Sequence, residues 1–319
     1  MRPIPRAVNE FGLIERIRCR AVTDDSVLLG IGDDAAVMAP TPGQALVATT
    51  DSIVLDRHFT ADWPAADIGH LALAVNLSDL AAMGASPRWT LLALTLPEAD
   101  AAWVEGFLDG FLALAGEAGA RLVGGNIACG PLNIGVQALG EAAPERIARR
   151  TGAQSGDCLA VTGTLGDAAA ALAAGADAPA DLLARLRRPR PRIEAGQQLA
   201  GLSHAMIDLS DGLLADLEHL RPGGLGARIE LDRLPASAAL KDRYAAGPER
   251  WSLQASGGSD YELLVALAPE NLGPARAALA RLGLELSEIG RLDDSGELAC
   301  LDSNGDSVAM DKLGWDHFA

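Results

Sequence analysis

Apolar positions recur with the period of a helix in some segments of the chain and as short continuous runs in others. The helical period marks three segments of the first half, at 9–18, 64–83 and 98–119. Short apolar runs bounded by glycine, proline or polar residues predict strands at 27–38, 45–51, 89–96, 122–126 and 132–139. Strands and helices alternate again beyond residue 156, so both halves are predicted to mix helix and sheet.

A change of composition at 142–146 separates two regions of similar size. The chain has 319 residues, 49% of them hydrophobic, which is enough material for two cores. We therefore expect an α/β (α+β) protein of two domains, at 1–143 and 144–319. In the second domain the patterns predict a strand at 205–211 followed by a helix at 212–220, and a glycine turn at 256–260.

The composition argues against several classes of partner. The formal net charge is −17 at pH 7, whereas nucleic acids and anionic membrane surfaces require a basic protein surface. No run approaches the ~18 apolar residues of a membrane helix, and residues 1–18 lack the apolar stretch of a signal peptide. The four cysteines lie far apart in sequence, which favours reduced thiols and a cytoplasmic protein.

Acidic residues form four clusters, each at the end of an apolar element or inside one. They are Gly32-Asp33-Asp34, Thr49-Thr50-Asp51, Asn76-Leu77-Ser78-Asp79 and Asp208-Leu209-Ser210-Asp211. Carboxylate and hydroxyl oxygens are the ligands that Mg²⁺ prefers, usually together with substrate phosphates. The clusters therefore predict a site for hard cations; the alternative is that these aspartates only cap helices and turns.

Other kinds of site are not supported by the motifs. We find no Ser-His-Asp or Cys-His nucleophile pair, and the five histidines have no metal-type spacing. The strand ending at Gly163-Thr164-Leu165-Gly166 does not match the dinucleotide-binding G-x-G-x-x-G pattern. The segment 185–192 carries five arginines and two prolines, which is compatible with a solvated linker or with a phosphate-facing role.

Taken together and in order, the motifs resemble one family over nearly the whole chain. The matching pieces are Gly32–Ala36 (GDDAA), Thr50-Asp51, Asn76–Ala85 (NLSDLAAMGA), Gly124-Gly125-Asn126, Arg150–Ala153 (RTGA), Asp208–Leu213 (DLSDGL), Gly257–Leu263 (GGSDYEL) and Gly314–Phe318 (GWDHF). The sequence resembles bacterial thiamine-monophosphate kinases, of the superfamily that includes aminoimidazole ribonucleotide synthetase and selenophosphate synthetase.

The resemblance implies a two-domain PurM-like fold, with an N-terminal mixed-sheet domain that binds ATP and Mg²⁺ and forms a homodimer, and a C-terminal α/β domain. It implies ATP-dependent phosphorylation of thiamine monophosphate to thiamine diphosphate, by direct in-line transfer with several Mg²⁺ ions. The metal ligands it implies are Asp33, Thr49, Thr50, Asp51, Asp79, Asn126, Asp208 and Asp211, of which Asp33, Asp51, Asp79 and Asp208 would serve catalysis. The nucleotide contacts it implies are Gly125, Asn126, Arg150 and Ser210. The substrate contacts it implies are His58, Ser259 and Trp315.

The chemistry of this reaction agrees with a site rich in aspartate. The acceptor is a phosphate monoester, already an oxyanion near neutral pH because its second pKa is about 6, so no general base is required. The obstacle is repulsion between two polyanions, on the order of 4 kcal/mol for each pair of unit charges at roughly 4 Å and an effective dielectric of ~20. Bridging divalent cations would remove much of that cost.

Three positions depart from the family pattern. Asn126 and Ser259 stand where acidic residues are expected, and Cys129 stands where an arginine is usual, after Ile127-Ala128 in place of two threonines. These departures leave open a superfamily enzyme with another acceptor, and a non-catalytic sensor of thiamine diphosphate or ATP. Simpler explanations also remain for three single residues: Arg150 as a surface arginine, His58 as a packing histidine and Trp315 as an anchor of the tail.

Overall fold

The computed structural model describes residues 9–221, 223–310 and 312–315. It divides the chain into two compact units, one of residues 1–80 and 86–143 and one of residues 81–85 and 144–319. Each unit combines helices with a sheet of its own, so the mixed fold class predicted from the sequence is confirmed. In the described part of the chain, no helix has both the length and the apolar content to cross a lipid bilayer.

Within residues 9–80 and 86–143, the first unit contains three helices and six strands. The helices are α1 (Glu10–Arg20), α2 (Ala65–Ala82) and α3 (Ala101–Ala118). The strands are β1 (Val27–Leu29), β2 (Val37–Met38), β3 (Ala45–Val54), β4 (Ser86–Leu96), β5 (Arg121–Cys129) and β6 (Asn133–Ala142).

A four-stranded sheet with the order β3-β6-β4-β5 forms the centre of the first unit. β6 pairs antiparallel with β3 and β4, and β5 pairs parallel with β4. Asp51, Val136, Leu92 and Gly125 face one another from strand to strand. The register therefore aligns two predicted site positions, Asp51 and Gly125, at opposite edges of the sheet. Three strand spacings separate them, or about 14 Å.

Helices α2 and α3 approach each other closely through glycine. A Cβ added at Gly110 would lie 1.7 Å from the Ala66 carbonyl oxygen, and one added at Gly69 would lie 2.0 Å from the carbonyl oxygen of Phe107. The ends of α3 follow ordinary capping rules: the Asp100 carboxylate accepts the amides of residues 102 and 103, and Gly119 ends the helix with φ 74°. Small residues on α2 thus let this helix pack on α3 with little space between the two backbones.

The second unit contains seven helices and six strands among its described residues. The helices are α4 (Asp167–Ala174), α5 (Ala180–Arg187), α6 (Ile193–Leu199), α7 (Leu213–Leu220), α8 (Ala238–Arg243), α9 (Pro248–Ser256) and α10 (Pro269–Ala280). The strands are β7 (Cys158–Thr162), β8 (Ala205–Asp208), β9 (Gly226–Glu230), β10 (Leu263–Leu267), β11 (Leu286–Asp293) and β12 (Leu298–Leu301).

The six strands form one sheet with the order β12-β9-β11-β7-β10-β8. All neighbours are antiparallel except β12 and β9. Every residue of β7 and β10 is buried, because alternate side chains enter two separate apolar clusters, one on each face of the sheet. A strand covered on both faces reads as a continuous apolar run, and the sequences of β7 and β10 have this character.

Local differences from the sequence prediction concentrate near the candidate site. The predicted strand 27–38 is two short strands, β1 and β2, which pair with each other and enclose the Gly-Asp-Asp loop. Asp51 lies inside β3 rather than at its end, and the glycines at 124–125 lie inside β5 rather than in a turn. Helices α5, α6 and α9 have no counterpart in the prediction. Short glycine-rich runs are ambiguous because pairing with distant strands decides their length.

Candidate functional site

Two predicted metal-ligand clusters of the first unit meet between β3 and α2. The Thr49 hydroxyl donates to the Asp79 carboxylate at 2.5 Å, and the Asp51 amide donates to the Asn76 side-chain oxygen at 3.0 Å. Asn76 and Asp79 share a helix face because they are three residues apart. The structure therefore brings Thr49 and Asp51 together with the helix segment of Asp79, although Thr49 and Asp79 are 30 positions apart in the sequence.

Hydrogen bonds compensate for the burial of the polar side chains between β3 and α2. Asn76 is fully buried, and its amide nitrogen donates to the Ala72 carbonyl at 3.1 Å, which orients its oxygen towards β3. Asp79 is half-buried, and the partner shown for it is a neutral hydroxyl rather than a cation. A carboxylate in this position keeps its negative charge available for a bound cation.

Thr50 is directed away from this group. Successive side chains of a strand point to opposite faces of the sheet, and the Thr50 hydroxyl donates to the Val136 carbonyl at 3.1 Å while it accepts from Gln137 at 3.2 Å. Its hydroxyl thus bonds to β6, and the structure does not bring it to the Asp79 carboxylate.

Asp33 lies in the exposed loop between β1 and β2. Its carboxylate accepts the amide of Asp34 at 2.8 Å. The end of this loop approaches β5, since a Cβ added at Gly124 would lie 3.9 Å from the Cβ of Ala36. Asn126 is exposed on β5, at the edge of the sheet opposite to β3. The predicted nucleotide residues of β5 are therefore separated from the Thr49–Asp79 pair by the width of the sheet.

His58 takes part in the turn that follows β3. Its Nδ1 accepts the Val54 amide at 3.1 Å, and its own amide donates to the Val54 carbonyl at 3.0 Å. Asp56 in the same turn has φ 62°. His58 therefore has a structural role of its own, beside the substrate role that the resemblance implies.

In the second unit, the strand β8 ends in the acidic loop (residues 208–212). The buried carboxylate of Asp216 accepts three successive backbone amides of this loop, those of Ser210, Asp211 and Gly212, at 3.0–3.1 Å. Burial, followed by repulsion from Asp211, raises the pKa of Asp216 to about 7 in spite of these donors. The conformation of the loop that carries Asp208 and Asp211 thus depends on Asp216.

Sequence reasoning missed Asp216, although a signal for it was present. An acidic side chain within the first turn of a helix that begins after glycine is well placed to accept the unpaired amides of the helix start. Asp216 lies four residues after Gly212, at that place in α7.

The glycine turn, predicted at 256–260, comprises residues 257–261 in the structure and contacts the acidic loop. The chain near residue 315 contacts the same loop. The Ser259 amide donates to the Ser210 carbonyl at 2.7 Å, and the Trp315 amide donates to the Asp211 carbonyl at 2.9 Å. The indole-bearing residue Trp315 is 56% exposed. The structure therefore brings together the predicted site residues Asp208, Ser210, Asp211, Ser259 and Trp315. The remainder of the predicted C-terminal motif, residues 316–318, lies outside the described residues.

Arg150 is exposed, and it belongs to a segment that runs along the outer edge of β8. The Met206 amide donates to the carbonyl of Arg149 at 2.9 Å. A Cβ at Gly152 would lie 2.5 Å from the His204 carbonyl oxygen, so the segment needs glycine there. Arg150 thus lies beside the strand that ends at Asp208, and its nucleotide contact stays a prediction.

Each unit offers oxygen donors of the kind that Mg²⁺ requires. Within residues 9–221, 223–310 and 312–315, no three His, Cys, Asp or Glu side chains form a group that could hold a metal ion. Mg²⁺ is commonly held by only one or two carboxylates plus substrate phosphates. The oxygen-only donors of the Thr49–Asp79 pair and of the acidic loop fit this mode of binding, with Asp79 in the first unit and Asp208 and Asp211 in the second.

The departures from the family pattern on β5 line a cavity of the first unit. It has a volume of about 230 Å³ and is bounded by Ile127, Ala128 and Cys129 together with residues of α1 and the end of β4. The exposed Cys129 thiol contacts the Pro97 carbonyl at 3.7 Å. Ile127 and Ala128 therefore give this surface an apolar lining, and Cys129 adds a thiol to it.

Two family models match the chain, and together they cover most of both units. They describe the N-terminal domain of AIR synthase related protein, at residues 32–142, and its C-terminal domain, at residues 154–302. The thiamine-monophosphate kinase of Escherichia coli (strain K12) is 43% identical, covering 98% of this chain and 99% of that protein.

Solved structures of similar proteins agree with these matches. A thiamine-monophosphate kinase from Stenotrophomonas maltophilia K279a has a TM-score of 0.86 at 41% identity, covering 95% of this chain and 98% of that one. AaThiL complexed with AMPPCP and TMP has a TM-score of 0.76 at 31% identity, covering 98% and 97%. The expected two-domain PurM-like fold is thereby confirmed, and the chain belongs to the thiamine-monophosphate kinase family of enzymes within the AIR synthase related proteins.

Proposed function

We propose that the chain transfers the γ-phosphoryl group of ATP to thiamine monophosphate and so forms thiamine diphosphate. The observation that carries this proposal is the 43% identity to the Escherichia coli kinase over almost the entire chain. The structural neighbour AaThiL, complexed with AMPPCP and TMP, supports the same pair of substrates. Such a reaction needs carboxylates. They are present where β3 contacts α2 and around the acidic loop.

Phosphoryl transfer in this enzyme would be direct and in line. The acceptor phosphate is an oxyanion near neutral pH, so no side chain has to remove a proton from it. Several Mg²⁺ ions would neutralise the charge that accumulates between donor and acceptor and would orient the reacting oxygens. The protein's part is to present carboxylates in fixed positions: Thr49 orients Asp79, Asn76 fixes the backbone at Asp51, and Asp216 holds the loop of Asp208 and Asp211.

The remaining predicted site residues have assigned parts in this proposal. Asp33, Thr50 and Asn126 would add oxygen ligands to the metal ions from the first unit. Gly125, Arg150 and Ser210 would contact the nucleotide. His58, Ser259 and Trp315 would contact the thiamine moiety; an exposed indole ring is suited to stack on the cationic thiazolium ring.

The domain at 1–143 is proposed to bind ATP and Mg²⁺ and to form a homodimer, while the domain at 144–319 completes the enzyme. Three apolar side chains of the first unit support a dimer, because Leu28, Val37 and Leu46 are 67%, 46% and 52% exposed in the single chain. The cysteines form no disulfide bonds with one another, which agrees with a protein of the reducing cytoplasm.

The proposal is tested by measuring ADP release from ATP in the presence of Mg²⁺ and thiamine monophosphate, with the product identified by mass. We expect ADP and thiamine diphosphate in equal amounts. Calorimetric binding of thiamine monophosphate without turnover at high Mg²⁺ would instead indicate a sensor. Absence of both binding and turnover would direct attention to other acceptors of the superfamily.

Replacing Asn126 by aspartate is expected to lower the Mg²⁺ concentration needed for half-maximal turnover by roughly three- to tenfold, because a carboxylate binds a hard cation better than an amide oxygen does. Asn126 is exposed, so the substitution places no charge in a core. Magnesium titrations of the initial rate for the wild type and Asn126→Asp measure this difference. An unchanged or increased magnesium requirement would remove Asn126 from the set of metal ligands.

A further inference from the structure

The first and the last arginine of the arginine-rich segment 185–192 form salt bridges with one buried carboxylate. Glu262 has no exposed surface, and its side chain accepts from Arg185 at 2.7 Å and from both Nε and Nη2 of Arg192, at 2.7 and 2.5 Å. The Thr162 hydroxyl adds a further donor at 2.7 Å. The first and last arginines of the segment are therefore neither solvated nor directed at a phosphate, because they are the counterions of Glu262.

The space around Glu262 is closely filled. A Cβ added at Gly163 would lie 2.3 Å from one of the Glu262 carboxylate oxygens. Arg185 and Arg192 are only 25% and 17% exposed, and Arg185 also lies 3.6 Å from the buried carboxylate of Asp167. Little solvent screening reaches these pairs, so removal of one partner leaves a buried charge without compensation.

Glu262 directly follows the glycine turn, and its backbone belongs to the same hydrogen-bond ladder. The Leu209 amide donates to the Glu262 carbonyl, and the Tyr261 amide donates back to the Leu209 carbonyl, both at 2.8 Å. The next bond of this series joins the Ser259 amide to Ser210. Displacement of Glu262 would therefore loosen the contact between the glycine turn and the acidic loop.

The backbone of the turn requires such an anchor. Ser259 and Tyr261 have φ values of 67° and 50°, in the left-handed region that non-glycine residues avoid. Conformations of this kind persist only where the surrounding structure imposes them. Glu262 can impose this backbone conformation from the C-terminal side of the turn, because its carboxylate is held by the side chains of Arg185, Arg192 and Thr162.

We propose that Arg185 and Arg192 are positioning residues, which act through Glu262 to hold the glycine turn, and with it Ser259, against the acidic loop for recognition of thiamine monophosphate. This inference rests on the proposed function for the identity of the substrate. It assigns to the arginine-rich segment a role in substrate affinity although neither arginine touches the substrate.

The test compares Arg192→Ala and Arg192→Lys with the control Arg190→Ala, an exposed arginine of the same segment. We expect Arg192→Ala to raise the KM for thiamine monophosphate by roughly ten- to a hundredfold, as expected when a remote change misplaces a substrate contact. Arg192→Lys keeps the charge but cannot reproduce the two parallel bonds, so its KM should be intermediate. The KM for ATP should change less than twofold in all three variants.

A double-mutant cycle with Glu262→Gln tests whether Arg192 acts through Glu262. We expect the double variant to be no worse than the worse single variant, because both changes break the same contact. Additive effects would show that Arg192 acts by another route and would overturn the proposal. If Arg192→Ala does not fold, Arg192→Lys alone still distinguishes the outcomes.

Hydrogen exchange separates this proposal from the proposed function. Without any substrate, the amides of Ser259 and Tyr261 should exchange faster in Arg192→Lys than in the wild type, whereas those of α3 should be unchanged. If exchange is faster but the protein does not phosphorylate thiamine monophosphate, the role of Arg192 in holding the turn through Glu262 is supported. Thiamine monophosphate is then excluded as the substrate. Unchanged exchange in the turn, or equal rises in the KM values of both substrates, would overturn the positioning role.

Discussion

Replacement of Asp79 by asparagine is expected to lower kcat by roughly 10²–10³-fold, the effect typical of removing one group that stabilises transition-state charge. The protein should remain folded, because the asparagine oxygen can still accept the Thr49 hydroxyl that bonds to Asp79 in the wild type. Only the negative charge is lost, and with it the attraction that we propose Asp79 exerts on Mg²⁺.

Initial rates over a range of Mg²⁺ concentrations, together with thermal unfolding, measure this effect. The matched control is Asp25→Asn, which removes one charge from an exposed position of the same unit and should leave kcat and the magnesium requirement unchanged. Equal effects of the two substitutions would mean that net charge alone matters. Wild-type kcat in Asp79→Asn would exclude Asp79 from the catalytic set.

The pair formed by β3 and α2 could be predicted because each half is local. Asn76 and Asp79 lie on one helix face by their spacing, and Thr49 and Asp51 lie on one strand face by theirs. Polar groups on two otherwise apolar elements need hydrogen-bond partners when they are buried, and the two faces supply such partners to each other. The observed hydrogen bonds between the two elements follow from that condition.

The anchor of the glycine turn could not be predicted in the same way. Arg185 and Arg192 lie 77 and 70 positions before Glu262, and no periodicity connects an arginine-rich segment with a glutamate at the start of a buried strand. Charge composition alone favours solvent for such a segment, because arginine is seldom buried without a partner. Only the three-dimensional pairing shows that two of its members are required inside the second unit.

The residues at which strands end also could not be predicted from local sequence patterns. β1 and β2 turned out to be separate because the two glycines between them allow the chain to reverse, with φ 130° at Gly32. β3 continues beyond Asp51 because β6 offers partners as far as Val54. Strand length depends on the neighbouring strand, and the identity of that neighbour is not encoded in the strand's own residues.

The second prediction with a large expected effect concerns Asp260. Its substitution should change the stability of the protein rather than its activity. It is 6% exposed, and one carboxylate oxygen accepts the Gly166 amide at 2.9 Å, while the other has no hydrogen-bond partner among the described residues. Burial, to which the nearby carboxylates of Glu262 and Asp167 add, raises the pKa of Asp260 well above its ordinary value of 3.8. We therefore expect the folded protein to retain a proton on Asp260 at pH values at which the unfolded chain, with its ordinary pKa of 3.8, has released it.

Stability contributed by a group with a raised pKa is complete below the unfolded pKa and is lost as the pH rises towards the folded pKa. Asp260→Asn cannot ionise, so the unfolding free energy of the variant relative to wild type should increase by up to about 1.4 kcal/mol per pH unit from pH 4 upwards. Urea unfolding at several pH values between 5 and 8 measures this slope.

The slope is the test because a buried asparagine amide without a partner costs the same at every pH. The control Asp242→Asn, at an exposed position of α8, should give a difference from wild type that is independent of pH. A flat difference for Asp260→Asn as well would mean that Asp260 is ionised in the folded protein. Its charge would then be compensated by Arg185, which would stabilise Asp260 in addition to Glu262 and Asp167.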